Sequence, residues 1–297
     1  IDTKNASLSF AKPYDKAFIF KKLTASYRWK KFTNFWRITT ENMYLELDNL
    51  SLSNRFSFDW TGDFNTSYLS SSTNFSGHNI EELKPYLPKK AMNKNLYKWL
   101  DNSIISLPKL TGHALVKGVL GNFPFDKSIG SFDVQLNTQD AILRFHPKWL
   151  KAEHLDSKII FNKRNMLTDV KHATLGKNKI SNLAILIKPL GTHVQNLFLK
   201  GAGDFQTQNV LDYMLESPIQ EKLKLLKTMP FEGLLKLKLN LTIPLYPENN
   251  KQILQGDITF YKNTVTIYKK PLINLKSLQG PLAFNQDGIL SSKLGAE

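Results

Sequence analysis

Apolar and polar side chains alternate along much of this chain, most clearly between Leu235 and Leu245. In that run every odd position is apolar: Leu235, Leu237, Leu239, Leu241, Ile243 and Leu245. The even positions are Lys236, Lys238, Asn240, Thr242 and Pro244. A period of two places successive side chains on opposite faces of a β-strand. The run therefore predicts a strand with one apolar face and one solvated face.

Shorter alternating runs recur through the chain and predict further strands. They are Met43/Leu45/Leu47, Phe56/Phe58/Trp60, Phe132/Val134/Leu136, Leu183/Ile185/Ile187, Ile258/Phe260 and Val265/Ile267. Residues that tight turns select stand between them, at Gly62-Asp63, Gly176-Lys177-Asn178 and Lys262-Asn263. This punctuation predicts a mainly β protein of antiparallel, meander-like topology with about fifteen strands.

Two stretches break the period of two and predict short helical insertions. The first, from about 79 to 106, has a capping-box pattern that starts at Asn79 and an interruption at Pro88. Apolar residues at helical spacing follow: Met92, Leu96, Trp99 and Leu100. The second, from about 207 to 228, has a helix-start pattern at Ser217-Pro218. Each insertion is therefore expected to be a pair of short helices.

The two helical insertions have matching surroundings, which suggests an internal duplication. Each follows a glycine, leads through a proline and reaches a glycine that opens an alternating strand. These markers are Gly77, Pro108 and Gly112 in one copy and Gly203, Pro230 and Gly233 in the other. We expect a strand segment at 1–78, a first repeat at 79–202 and an incomplete second repeat at 203–297, in one continuous elongated body. Chance recurrence of turn residues is the alternative.

Composition narrows the class of protein. The 297 residues are 41% hydrophobic and 22% charged, which is too apolar for a disordered chain. Cysteine is absent, so disulfides, thiolate metal sites and cysteine nucleophiles are excluded. No apolar run approaches the roughly 20 residues of a membrane-spanning helix. The chain begins at Ile1 without a signal-peptide pattern, and we expect a processed product or part of a longer protein.

No catalytic or metal-binding motif is found, so we predict that the protein is not an enzyme and uses no cofactor or metal. The six histidines are scattered, and none has the helical spacing of a zinc hydrolase. No Gly-x-Ser-x-Gly elbow occurs. The Gly-x-Gly at Gly201 to Gly203 is followed by Gln206 where a dinucleotide fingerprint needs its third glycine, which favours a turn.

The formal net charge of +15 favours anionic partners in general. The segment Tyr27-Arg28-Trp29-Lys30-Lys31-Phe32 comes nearest to the interleaved basic and aromatic pattern of nucleic-acid-binding proteins. The other lysines are spread over many strands and loops, where solvation and protection of sheet edges account for them. We therefore expect no nucleic-acid partner.

The apolar face of the expected sheet needs a partner. Two short helical insertions cover only a small part of a sheet of about fifteen strands. The rest of the face can close on itself as a sandwich or barrel, pack against more protein, or curve into a trough that holds an apolar ligand. Periodicity alone leaves these three alternatives open.

Six segments, taken in order, resemble those of a known family. They are Tyr86-Leu87-Pro88 followed by Trp99-Leu100; Gly118 to Phe125; Ala141 to Trp149; Leu215 to Ile219; Leu239 to Leu245; and Leu278 to Phe284 followed by Asp287-Gly288. Their order resembles the YhdP branch of the AsmA-like proteins, large envelope proteins of Gram-negative bacteria, over about two thirds of the chain. The chain has Trp149-Leu150 where the family often has Trp-Pro.

The resemblance implies an elongated, twisted antiparallel β-sheet curled around an apolar groove. It implies a periplasmic body that is anchored to the inner membrane by a segment absent from this chain. In such a body the groove conducts phospholipids between the inner and outer membranes and contributes to outer-membrane biogenesis. Its partners are then phospholipid acyl chains and, through regions outside this chain, both membranes.

On this interpretation the alternating apolar side chains line the groove. The expected lining residues are Leu235, Leu237, Leu239, Leu241, Ile243, Phe132, Val134, Leu136, Leu183, Ile185, Ile187, Ile258 and Phe260. One alternative is a closed β-sandwich with these side chains in its core. Another is a non-catalytic envelope scaffold that binds protein or polysaccharide at the sheet edge. A lipid-handling enzyme is a third.

Overall fold

Strands joined by short connections form most of this chain, as the period of two predicts. The computed structural model describes residues 1–8, 17–79, 94–245, 253–267 and 272–297. Within these ranges sixteen strands belong to one antiparallel sheet, and their hydrogen-bonded order follows the chain apart from one short strand. The mainly β, antiparallel prediction is confirmed.

Contacts between Cα atoms divide the chain into two compact units. The first consists of Ile1–Ala141 with Lys158–Leu167, and the second of Ile142–Ser157 with Thr168–Glu297. The proposed duplication and its boundaries at 78 and 202 stay a prediction.

The first unit is built from the N-terminal strands. They are β1 (Asp2–Leu8), β2 (Phe18–Lys31), β3 (Trp36–Glu46), β4 (Leu50–Trp60), β5 (Tyr68–His78), β6 (Ile104–Ser106), β7 (Lys109–Val119) and most of β8 (Gly130–Leu143). Neighbours pair in the order β1-β2-β3-β4-β5-β7-β8, and β6 pairs with β8. Strands β9 (Ala152–Asn162) and β10 (Asn165–Leu175) are divided between the two units.

The second unit contains the remaining strands. They are β11 (Asn178–Lys188), β12 (Asn196–Gln206), β13 (Phe231–Pro244), β14 (Ile253–Ile267), β15 (Ile273–Asn285) and β16 (Gly288–Ser292). They pair with one another in chain order. Strand β13 carries the alternating run that begins at Leu235, so the strongest pattern in the sequence forms a strand inside the sheet.

Helices occur mainly in the two predicted windows. In the first window lies α1 (Lys94–Ser103); residues 80–93, including Pro88 and Met92, are outside the described ranges. The second window holds α2 (Thr207–Leu215) and a 3₁₀ helix (Gln220–Thr228). A further 3₁₀ turn spans Leu120–Asn122. No helix in the described ranges has the length and hydrophobicity needed to cross a membrane.

The predicted break at Ser217-Pro218 is confirmed, but Ser217 acts differently from the expected helix start. Its hydroxyl donates to the Met214 carbonyl at 2.7 Å and accepts from the Ile219 amide at 3.3 Å. The 3₁₀ helix begins only at Gln220, without a side-chain cap. Ser217 therefore closes the end of α2, where its hydroxyl adds to the bond that its own amide donates to the Met214 carbonyl.

Two of the three predicted turns are confirmed and one is wrong. Gly62-Asp63 lies in the loop between β4 and β5, and Gly176, with φ of 58°, begins the two-residue turn between β10 and β11. Lys262-Asn263 instead lies inside β14, at a β-bulge between Phe260 and Val265. Lys262 has φ of 51°. The bulge uses the same left-handed backbone as a turn, so the two select similar residues.

Candidate functional site

The central strand of the second unit, β13, has faces of opposite character. Leu235 is 3% exposed, whereas its four alternate neighbours along the strand are half-buried. Those neighbours are Leu237, Leu239, Leu241 and Ile243. On the opposite face, Lys236 lies opposite Asp204 of β12, and Lys238 lies opposite Asp257 of β14. One face of this strand is thus apolar and the other carries charges of both signs.

The register extends the apolar face of β13 across β12 to β11. Leu199 of β12 is opposite Leu241 on one side and Ile185 on the other. The adjacent row consists of Ile243, Leu197 and Ile187. Leu183 lies two residues before Ile185 and packs over Gly201, so it shares this face.

The same face continues on the other side of β13. Leu235 is opposite Phe260 of β14, and Leu237 is opposite Ile258. Ile258 is in turn opposite Leu282 of β15. We call this surface the leucine face: the five apolar side chains of β13 with their cross-strand partners on β11, β12, β14 and β15. Ten of the thirteen predicted lining residues lie on it: five on β13, three on β11 and two on β14.

Glycines on the leucine face make room for larger side chains beside them. Leu239 is opposite Gly201 on one side and Gly256 on the other. The ring of Phe284 lies over Gly256, and the ring of Phe205 lies over Gly203. A glycine in a strand permits this close approach because it has no Cβ. The leucine face is therefore flat over its glycines, with rings and leucines lying against the backbone.

Helix α2 is held to the ends of these strands by buried polar contacts. The Thr207 hydroxyl donates to Asn263 Oδ1 at 2.5 Å, and Asn263 Nδ2 donates to the Leu234 carbonyl at 2.7 Å. Asn178 Nδ2 donates to the Asn209 carbonyl at 3.0 Å. Asn263 is fully buried at the bulge of β14, which explains why the sequence interrupts an apolar strand with asparagine there.

Tyr213 of α2 packs against an aromatic neighbour from the connection between β8 and β9. The centroids of the Tyr213 and Trp149 rings are 5.6 Å apart. Burial raises the pKa of Tyr213 to about 12, because the phenolate would lose water. Helix α2 thus contributes an apolar cap at one end of the strands of this unit.

The other three predicted lining residues lie in the first unit, on one face of β8. Phe132 is opposite Val116 of β7, and Val134 is opposite Ala114. Leu136 is opposite Gly112, over which the ring of Phe75 lies. All three predicted residues are half-buried.

A loop covers the end of this β8 face. Phe125 is fully buried and lies against Gly118 and Gly130. The Phe123 ring is 4.9 Å from the Phe132 ring, centroid to centroid. Phe132 thus has an aromatic neighbour from its own unit, although it is half-buried like the leucines of β13 beyond Leu235.

A second apolar surface, on β2, β3 and β4, was missed by sequence reasoning. Cross-strand pairs place Tyr27, Trp29, Trp36, Phe56, Phe58 and Trp60 on one side of these strands, which we call the aromatic face. The signal was present in the sequence, because Trp29 alternates with Arg28 and Lys30. In the strand, Tyr27 and Trp29 lie on one face and Arg28 and Lys30 on the other, and Lys31 is the one basic residue of the segment on the aromatic face.

The described residues contain no group of three or more histidine, aspartate or glutamate side chains that could hold a metal ion. Two ion pairs of the first unit join neighbouring strands or neighbouring loops. Arg37 donates to both carboxylate oxygens of Asp59 at 2.6 Å, and Arg164 donates to Asp126 at 2.6 Å. The Arg164 contact holds the pKa of Asp126 below its usual range. These pairs stabilise the local geometry of the first unit.

Comparison with known proteins adds an independent line of argument. The family model described as YhdP protein matches residues 1–297. The intermembrane phospholipid transporter YhdP of Escherichia coli (strain K12) is 28% identical over 218 residues, which is 71% of this chain and 16% of that relative. The alignment therefore spans a small part of the relative's length. No solved structure matches the chain. The match over its whole length shows that this chain belongs to the YhdP family.

Proposed function

We propose that this chain is one segment of a bridge-like protein that conducts phospholipids between the inner and outer membranes of a Gram-negative bacterium. The observation that carries the proposal is the leucine face, an apolar surface built from five neighbouring strands whose side chains are mostly half-buried. The printed function of the Escherichia coli relative, an intermembrane phospholipid transporter, supports it. The ligand is then the acyl chain of a phospholipid, and the apolar face is the wall of a groove.

The leucine face suits a ligand that must slide. Burial of each CH₂ group of an acyl chain contributes about 0.8 kcal/mol, so an apolar wall offsets most of the loss on leaving a bilayer. Leucine and isoleucine side chains repeat along β13 without a charged residue on that face. On a surface of uniform apolar character, the free energy of the bound lipid has no single deep minimum along the path. The lipid headgroup stays in water at the strand ends. No catalytic group is required for this activity.

The proposal also assigns a place in the cell. A groove between two membranes must cross the periplasm, so we place this segment there. The anchor to the inner membrane and the contacts with both membranes then belong to regions outside this chain.

Native mass spectrometry of the purified chain tests the proposal. We expect phospholipid to copurify with the wild type and with Lys238→Gln, which changes only the charged face. Leu239→Arg, at the centre of the leucine face, should lose the lipid while staying folded. Protein that is repeatedly empty at equal stability would contradict lipid conduction and favour a scaffold that binds protein or polysaccharide at a sheet edge.

A further inference from the structure

We propose that Lys31 and the aromatic face of the first unit bind the headgroup phosphate of a phospholipid whose acyl chains lie on that face. This inference rests on the proposed function and names a headgroup site within it. It concerns the end of β2, β3 and β4 nearest the hairpin at residues 32–35. All residues of the site belong to the first unit.

The aromatic face is densely apolar at this end. Trp29 of β2 is opposite Ile38 of β3, which is opposite Phe58 of β4. At the last row, Lys31 is opposite Trp36, and Trp36 is opposite Trp60. The rings contact one another: the centroids of Trp60 and Phe64 are 5.0 Å apart, and those of Phe58 and Trp60 are 6.0 Å apart.

Lys31 introduces a positive charge into this aromatic surface. Its Nζ lies 5.7 Å from the centroid of the Trp36 ring. It is the only basic residue among the nine positions that make up the last rows of this face: Tyr27, Trp29, Lys31, Trp36, Ile38, Thr40, Phe56, Phe58 and Trp60. Within the described residues, Lys31 has no carboxylate partner. Its charge is therefore available to an anionic ligand.

Basic residues on the opposite face of the same strands contact other side chains. Arg37 is paired with Asp59 through two contacts of 2.6 Å. Lys30 lies over the Phe32 ring, with its Nζ 5.2 Å from the centroid. Because successive residues of a strand point to opposite faces, Lys30 and Lys31 carry the same charge at the same height on different sides of the sheet. The chain thus supplies a matched control for Lys31.

The position of Lys31 matches the shape of a phospholipid. Trp29 is 72% exposed and Trp36 is 44% exposed, so the aromatic face meets solvent at this strand end. Tryptophan is favoured where an apolar layer borders water, since its ring is apolar and its N–H is polar. A lysine stem packs along apolar surface while its ammonium stays in water. A lipid with its chains on Phe56 and Phe58 would present its phosphate to this boundary.

The same features disfavour a nucleic acid at this surface. Nucleic-acid binding draws its affinity from several phosphate contacts made together. This face offers one ammonium group among aromatic rings, which suits a ligand with one phosphate and a large apolar part. We therefore assign the site to a phospholipid.

Tryptophan quenching by short-chain lipids with brominated acyl chains tests this site. Bromine quenches nearby tryptophans, and Trp29, Trp36 and Trp60 all lie on the aromatic face. The probes are phosphatidylglycerol and a diacylglycerol with the same chains, and the proteins are wild type, Lys31→Gln, Lys31→Arg and Lys30→Gln. We expect Lys31→Gln to weaken phosphatidylglycerol binding about tenfold, as for loss of one charge-assisted hydrogen bond. Diacylglycerol binding should not change.

The two control variants make the outcome specific. Lys31→Arg should keep phosphatidylglycerol affinity within about twofold because it keeps the charge, and Lys30→Gln should match the wild type. The headgroup site would be overturned if Lys30→Gln and Lys31→Gln lost equal affinity for phosphatidylglycerol. It would also be overturned if Lys31→Gln lost equal affinity for phosphatidylglycerol and diacylglycerol. Lipid binding that ignores Lys31 would refute this inference and leave the proposed function standing. Failure of the wild type to bind either lipid would refute both.

Discussion

The ring of Phe284 on β15 lies over Gly256 on β14, its direct cross-strand partner. A Cβ at position 256 would overlap the ring. Gly256 in turn lies opposite Leu239 of β13, so this pair is at the middle of the leucine face. The absence of a side chain at 256 lets an aromatic ring cover the backbone there.

Gly256→Ala should destabilise the protein by about 1–2 kcal/mol. Displacing the Phe284 ring costs about 1–3 kcal/mol, as at other overpacked sites. Alanine also lowers the conformational entropy of the unfolded chain, and this offsets part of that cost. Urea denaturation measures the change in unfolding free energy. Gly295→Ala is the control, because a Cβ there meets nothing within 4 Å. Equal effects of the two substitutions would show that the ring does not depend on the glycine.

Leu239→Arg should reduce lipid retention far more than Lys238→Gln. The arginine would stand on the apolar face between Gly201 and Gly256, where an acyl chain must pass. An uncompensated charge in a dry apolar site costs several kcal/mol, so the lipid is excluded or the site hydrates. Lipid bound per folded protein is the measurement. Lys238→Gln removes a charge from the opposite face and should leave retention unchanged. Equal retention in the two variants would contradict the assignment of β13 to the groove wall.

Thr207→Val should lower the unfolding free energy by about 1–3 kcal/mol, because Asn263 Oδ1 would lose its buried hydrogen bond. The loss should appear as a lower urea midpoint. Thr242→Val on β13 serves as the comparison, since the Thr242 side chain forms no hydrogen bond within the described residues; its effect should stay within about 0.5 kcal/mol. A neutral Thr207→Val would mean that the contact between α2 and the bulge contributes nothing to stability.

Tyr213 should titrate at a higher pH than a tyrosine in an unfolded chain. Its pKa is raised to about 12 by burial, against about 10 in an unfolded chain. The unfolded state therefore loses its proton first, and the stability that Tyr213 contributes is full below about pH 10 and falls as the pH rises towards 12. Ultraviolet titration of wild type and Tyr213→Phe isolates this transition. If the transition lost in Tyr213→Phe had its midpoint near pH 10, the Tyr213 ring would be solvated and the assignment would be wrong.

Lipid binding should be nearly independent of salt, whereas nucleic-acid binding should not. Acyl-chain burial depends on apolar area, and counterion release lowers nucleic-acid affinity about 10³- to 10⁵-fold between about 50 and 200 mM salt for six to ten phosphate contacts. We expect a fluorescent phospholipid to stay bound over that range and any DNA binding to be lost. Saturable, salt-resistant DNA binding would reopen the nucleic-acid interpretation that the charge of +15 suggests.

The sequence predicted the structure well where a single strand carries a clear alternation of apolar and polar residues. The alternation from Leu235 to Leu245 predicted β13 and the direction of its side chains. It could not show which strands lie beside β13, because register depends on pairing between distant segments. Only the structure brings Ile185 and Ile258 onto the same face as Leu237 and Leu241.

Local residue preferences misled the prediction at two places. Lys262-Asn263 resembles a turn, but Asn263 is a buried bulge residue whose partner, Thr207, is 56 positions away. The segment around Trp29 resembles a mixed basic cluster, but pairing with β3 places Arg28 and Lys30 on the face opposite Trp29 and leaves only Lys31 beside the rings. In both cases a long-range contact decides between two structures that the same short sequence permits.

Photo-crosslinking along β13 tests the central claim most directly. A photoreactive residue is placed at Leu237, Leu241 or Lys236 in turn, and the folded protein is irradiated with phospholipid present. The account predicts lipid adducts at Leu237 and Leu241 and none at Lys236, because only the first two lie on the leucine face. Equal adducts at all three positions, or none at either leucine, would contradict it.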